Sequence, residues 1–243
     1  MRDAPMDDID SFVLSRPPTA ARPLLGLTVL VVEDSRFACE AMRLLCLRSG
    51  ARIRRADCLR SARRHLQVYR PSVVIIDLGL PDGSGADLID ELTHTTPRVD
   101  VVLGTSGDDG AEARAMAAGA DGFMPKPIAS LANFQETILS FLPAERRPAG
   151  PRMLTDEKIT PDPISYRDDM AHVADLLSAD TDVSVADYIG QFVAGVASSA
   201  GDAPLKEAAD RLIAKRALGQ SVSANLAEMG GLVQDRMISE EIV

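Results

Sequence analysis

The residues best suited to chemistry stand where apolar runs end: Glu33 and Asp34 after residues 27–32, Asp77 after 73–76, Thr105 after 99–104 and Lys126 after 121–124. Taken alone, Asp77 would read as the opener of the turn that holds Gly79, Pro81, Gly83 and Gly85, or as a helix cap. As a set the residues ask for more. Three carboxylates brought together repel, each pair costing roughly 4 kcal/mol at about 4 Å and an effective dielectric of about 20. Such a cluster needs a cation, a shared proton or a raised pKa. An all-oxygen site with few protein ligands suits Mg²⁺, which keeps waters and bridges to phosphate oxygens. Lys126 adds a point charge for an anion, and Thr105 adds a hydroxyl donor. Together they describe a carboxylate that accepts a phosphoryl group while metal, Lys126 and Thr105 stabilise its oxygens.

Whether these groups meet depends on the elements that carry them. Residues 73–76 are apolar at every position, the mark of a strand buried on both faces in a helix-covered parallel sheet. Strands are predicted at 27–32, 52–56, 73–77, 99–105 and 121–124. Helical spacing of apolar residues predicts helices at 36–48, 59–69, 85–95, 111–118 and 131–142; Ser35 can cap the first and Gly50 stops it. Strand–helix alternation repeated five times implies a doubly wound α/β fold, a five-stranded parallel sheet with right-handed crossovers. Parallel strands present their carboxyl ends at one edge, where open α/β sheets bind ligands. The polar groups should therefore converge on Asp77.

With these residues in place, the segment of about 27–142 resembles the receiver domain of bacterial two-component response regulators, a flavodoxin-like fold. The resemblance implies that Asp77 is the phospho-acceptor and that Asp34, Asp77 and the Gly79 carbonyl bind Mg²⁺, with Glu33 acting through a metal-bound water. It makes Thr105 the switch hydroxyl, Phe123 the aromatic switch residue and Lys126 the phosphoryl-binding lysine, with a cis bond before Pro127. It names a sensor histidine kinase or histidine phosphotransfer protein as donor. Beyond its own phosphorylation and slow dephosphorylation, no enzyme activity is implied. On phosphorylation Thr105 would move toward the phosphoryl oxygens and Phe123 would turn inward. The surface of the fourth helix, fifth strand and fifth helix would then change for a partner. A haloacid-dehalogenase-type phosphatase also uses a strand-end Asp, but needs a second Asp where this chain has Gly79.

The 243 residues are 46% hydrophobic and 26% charged, a composition that packs rather than stays disordered. The predicted organisation is a flexible arm over 1–24, a receiver over 25–143, a Pro-containing linker over 144–163 and a small all-α region over 164–243. In that region helices are predicted at 166–177, 184–198 (with Ser184 and Asp187 as a capping pattern), 202–218 and 223–237. Net charge is −10, and residues 151–243 carry 8 Lys and Arg against 16 Asp and Glu, which argues against contact with nucleic acid. A helix-turn-helix across Gly219 would have only Arg236 on its recognition helix, and His172 lacks the Lys and Gly of a phosphotransfer helix. The output expected is contact with a protein partner or self-dimerisation through these helices; the alternative is a transcription factor with an atypical DNA-binding C-terminal domain. Ten arginines between 36 and 70 form a solvated face or a docking surface for acidic groups, the chain's own C-terminal part included. Cys39, Cys46 and Cys58 lack metal-ligand spacing and read as reduced core thiols. With no leader-like N-terminus and no run long enough to span a bilayer, the chain is expected to be cytoplasmic and free of membranes.

Overall fold

A computed structural model describes residues 17–108, 110–150, 152, 157–178 and 183–238. Its main strands are β1 (Thr28–Val32), β2 (Arg52–Ala56), β3 (Val73–Asp77), β4 (Val101–Ser106) and β5 (Gly122–Pro125), while Gly79–Leu80 and Gly83–Ser84 pair separately as a short antiparallel hairpin. The main strands form one sheet in the order β2-β1-β3-β4-β5, with every pairing parallel. Central β3 is buried at all five positions, which accounts for its unbroken apolar sequence. The crossover helices are α1 (Arg36–Ser49), α2 (Leu59–Val68), α3 (Gly85–His94), α4 (Ala111–Ala117) and α5 (Leu131–Phe141). Side chains at Ser35, Ser84 and Ser130 accept an N–H in the first turn of α1, α3 and α5. Gly50 ends α1 at φ 83°, where a side chain would be strained. The sheet and its helical layers are the doubly wound α/β architecture the alternation predicted.

Gly85 fixes how closely α3 follows β3. A Cβ at this position would lie 2.0 Å from the Asp77 carbonyl oxygen and 2.8 Å from its carbon, both backbone atoms that cannot step aside. Gly85→Ala should therefore lower the unfolding free energy by roughly 2–3 kcal/mol. Gly231, where a Cβ would meet nothing within 4 Å, is the control: in a helix interior its change to Ala should stabilise by about 0.5–1 kcal/mol. Urea unfolding of both variants checks the pair.

Four further helices follow: α6 (Pro163–Ser178), α7 (Val183–Ala200), α8 (Ala203–Ala217) and α9 (Ser223–Ile238). Asp202 caps α8 by accepting from the Leu205 N–H, and also takes two bonds from Arg236 of α9 and one from Tyr166 of α6. The apolar core of these helices includes Met170, Ile189, Phe192, Leu212 and Met229. It also takes in Phe37 from α1, whose ring meets Tyr166 edge-on at 5.6 Å. Ser184, expected to cap α7, falls inside the helix, and Asp187 pairs with Arg216 of α8.

Two segments expected to be loose are anchored to the core. Residues 1–16 of the predicted arm lie outside the described ones, but Leu24 at its end is fully buried and its N–H donates to the Ser49 carbonyl. In the predicted linker, Ile159 packs into the core beneath α1 and α5, while Glu157 and Ile159 exchange backbone bonds with Leu131 and Ala129. Among the described residues no helix is long and apolar enough to cross a membrane.

Candidate functional site

Register brings the strand ends together. Val32 pairs with Ile76 and Asp77 with Thr105, so Glu33 and Asp34, one and two residues beyond β1, arrive beside Asp77. Ligand oxygens of Glu33, Asp34 and Asp77 all lie within 4.8 Å of one another. Lys126, just past β5, donates to Asp77 Oδ2 at 2.7 Å and pairs with Glu33 Oε2 at 2.8 Å. The peptide between Lys126 and Pro127 is cis. The Gly79 N–H reaches Asp77 Oδ1 at 3.2 Å. Thr105 is fully buried beside Asp77, and its hydroxyl finds no partner among the described residues. Phe123 is half-buried against Gly104 on the neighbouring strand.

The electrostatics are those of a cluster with more negative charge than it can hold. Burial, opposed by Lys126 and aided by Asp77 and Asp34, raises the Glu33 carboxyl well above its usual range. Burial and then the Asp77 charge push Asp34 up to about 7. Burial alone would lower the Lys126 ammonium, but Asp77 and Glu33 outweigh it and hold it above its ordinary value. One lysine thus serves two carboxylates, and the third is left with a pKa near neutrality. That deficit, with an all-oxygen donor set on three sides, fits a hard divalent cation. Glu33, Asp34 and Asp77 could hold a cation such as Mg²⁺, which when bound would supply positive charge at this edge.

The edge also carries groups that no strand-end pattern pointed to. The Tyr188 hydroxyl, from α7, donates to Asp34 Oδ2 at 2.8 Å. From α6, Asp169 accepts from the Ser35 hydroxyl at 2.7 Å and from the Arg36 and Phe37 N–H groups at 2.9 and 3.1 Å. A carboxylate at a helix N-terminus satisfies orphan amides and meets the positive end of the dipole. The C-terminal helices accordingly pack on α1 and on the loops after β1, β3, β4 and β5. Among the described residues they pack mainly there rather than on the surface of α4, β5 and α5, where the resemblance placed the switch output. A signal was available: across Val183–Ala200 the only charged residue is Asp187, so α7 has little to offer solvent on any face. The arginine-rich stretch divides, Arg36 and Arg48 pairing with Asp168 and Glu157 while Arg43 and Arg63 pair within residues 36–91. His172 lies beside Tyr188 and Phe192, with Nε2 3.5 Å from the Tyr188 hydroxyl. Cys39 and Cys46 are buried free thiols, each pushed up to about 12 by burial.

Comparison with known proteins places the first half of the chain in a family. The family model described as the response regulator receiver domain matches residues 29–138, and the C-terminal helices have no family-model match. The KDP operon transcriptional regulatory protein KdpE of Escherichia coli is 31% identical over 100 residues, 41% of this chain and 44% of the relative. KdpE of Mycobacterium tuberculosis is 34% identical over the same shares. This chain thus spans less than half the length of these curated relatives. A solved putative response regulator from Chloroflexus aurantiacus is 25% identical, with 47% of this chain and 98% of that one covered at a TM-score of 0.43. Residues 29–138 of this chain are a response regulator receiver domain, a switch module of two-component systems.

Proposed function

We propose that this chain is a phosphorylation-controlled switch in which Asp77 takes a phosphoryl group from a histidine-phosphorylated kinase or phosphotransfer protein. The observation that carries it is the meeting of Glu33, Asp34, Asp77 and Lys126 at one buried edge. An Asp77 oxygen attacks phosphorus as the bond to the donor nitrogen breaks, and the electron pair leaves with that nitrogen. Lys126 is already at hydrogen-bond distance from Asp77 and can follow charge onto the phosphoryl oxygens. The Thr105 hydroxyl, without a partner among the described residues, has a reason to turn toward an arriving phosphoryl oxygen, since a buried hydroxyl without an acceptor costs free energy. Incubation with Mg²⁺ and a small acyl phosphate should add one phosphoryl mass, mapping to Asp77 and prevented by a chelator. No adduct under any condition overturns the reading.

The output we propose is protein contact. Among the described residues the surface of α4, β5 and α5 offers apolar side chains that a partner could cover, with Met116 46% and Phe141 39% exposed. The relatives' description as transcriptional regulators favours a DNA-binding second reading, but the acidic charge of residues 151–243 opposes it. Salt-sensitive DNA binding by the full chain in a gel-shift assay would decide for that second reading.

Cation loading should depend on pH. Asp34 must lose its proton to act as a ligand, and its pKa stands at about 7. Below that value protons compete with the cation, so apparent Mg²⁺ affinity should rise from about pH 6 to about pH 8 and then level off. Calorimetric titration across this range checks it; a flat profile removes Asp34 from the ligand set.

A further inference from the structure

We infer that helices α6–α9 form a cap that occupies the acceptor edge in cis and must lift before a protein donor can load Asp77, an inference that rests on the acceptor reading above. Tyr188, Gln191, Gly195 and Ser198 recur at helical spacing, so they share one face of α7. Each meets a different loop of the edge. Tyr188 bonds Asp34 Oδ2. Gln191 Oε1 lies 3.0 Å from where a Cβ on Gly79 would fall. A Cβ on Gly195 would lie 3.3 Å from Lys126 Nζ, and a Cβ on Gly107 would lie 3.1 Å from Ser198 and from the Ala194 carbonyl. Three of these four contacts involve a glycine, which is what lets a helix lie directly on the loops after β3, β4 and β5. Asp169 fastens the assembly at the other end by taking the first amides of α1.

The placement sets two competitions. A cation on Asp34 contends with the Tyr188 hydroxyl for the same carboxylate. A phosphohistidine of a protein donor must bring phosphorus within reach of an Asp77 oxygen, in line with the departing nitrogen. Asp77 is only 6% exposed, and the α7 face stands above it. A cleft of about 800 Å³, lined in part by Asp34, Arg55, Asp169, His172 and Tyr188, opens beside Asp34. A hydrated ion or a small acyl phosphate fits such a cleft, which is lined by Glu33 and Asp34 but not by Asp77, whereas a folded donor does not fit it. The receiver's loading state is thereby coupled directly to the position of the C-terminal helices.

Hydrogen exchange on the full chain tests the cap, with Mg²⁺ and beryllofluoride standing in for the phosphoryl group. Amides of α7 should exchange at least about tenfold faster once the site is loaded, as expected when docked structure opens. Calorimetry with Mg²⁺ alone supplies the second readout. Tyr188→Phe, which deletes the competing donor, should tighten binding roughly tenfold, and Gly195→Leu, which pushes α7 off Lys126, should also tighten it. Unchanged or slower exchange in α7, or Mg²⁺ binding no tighter in both variants, overturns the cap. If that happens while a small acyl phosphate still labels Asp77, the acceptor reading survives without it. If no variant is labelled at all, the acceptor reading fails, and exchange and calorimetry still judge the cap.

Discussion

Asp77→Asn should take up no phosphoryl group from a small acyl phosphate and Mg²⁺ under conditions that label the unaltered chain. The change is nearly isosteric. The single Asn oxygen can keep one of the two bonds that now hold the carboxylate, from the Lys126 ammonium to Oδ2 at 2.7 Å or from the Gly79 N–H to Oδ1 at 3.2 Å. What disappears is the anionic oxygen that must attack phosphorus, because an amide is too weak a nucleophile. Folding should survive, since one of three crowded negative charges is removed. Asp34 should titrate below its present value of about 7, because the Asp77 charge is the largest cause after burial that raises it. Intact-mass spectrometry reads the label, and nuclear magnetic resonance of the Asp34 carboxyl reads the titration. A variant labelled as fully as the parent places the acceptor elsewhere.

The receiver half was legible because its signals are local. Unbroken apolar runs mark strands buried on both faces, and polar residues directly after them fall at the one edge that parallel topology creates. Asp77, Glu33, Asp34 and Lys126 could be placed together from that rule alone. Tyr188 and Asp169 could not, because their partners lie 154 and 132 to 134 residues away and across a tertiary interface. Nothing local distinguishes a Tyr on an amphipathic helix from one that completes an ion site. Leu24 and Ile159 show the same limit on a smaller scale, each being one apolar residue in a proline-containing stretch. Periodicity sees repeated burial, and a single anchor has no period. The near absence of charge on α7 hinted that its second face is covered, but which loops Tyr188, Gln191, Gly195 and Ser198 meet depends on tertiary contacts that the helix alone does not encode.

Lys126→Met should be the most costly single change at the site. The Lys126 side chain is 2% exposed and its ammonium faces two carboxylates, 2.7 Å from Asp77 and 2.8 Å from Glu33. Removing one partner of a buried ion pair leaves charge without compensation, a loss of about 3–5 kcal/mol. The pH dependence identifies the cause. Glu33 and Asp34 have folded pKa values above their unfolded ones, so between those values the folded state binds more protons. Stability then falls as pH rises through that window. Without Lys126, Glu33 loses the interaction that opposes its upward shift, and the window widens. At about pH 5 the orphaned carboxyl can remain protonated and much of the cost is avoided, whereas at about pH 7 that relief is weaker. The gap between variant and parent in urea unfolding should therefore grow from pH 5 to pH 7. Added Mg²⁺ should narrow it at pH 7 by restoring positive charge beside Asp77. An equal gap at both pH values would mean that Lys126 stabilises the edge through packing of its alkyl chain rather than through its charge.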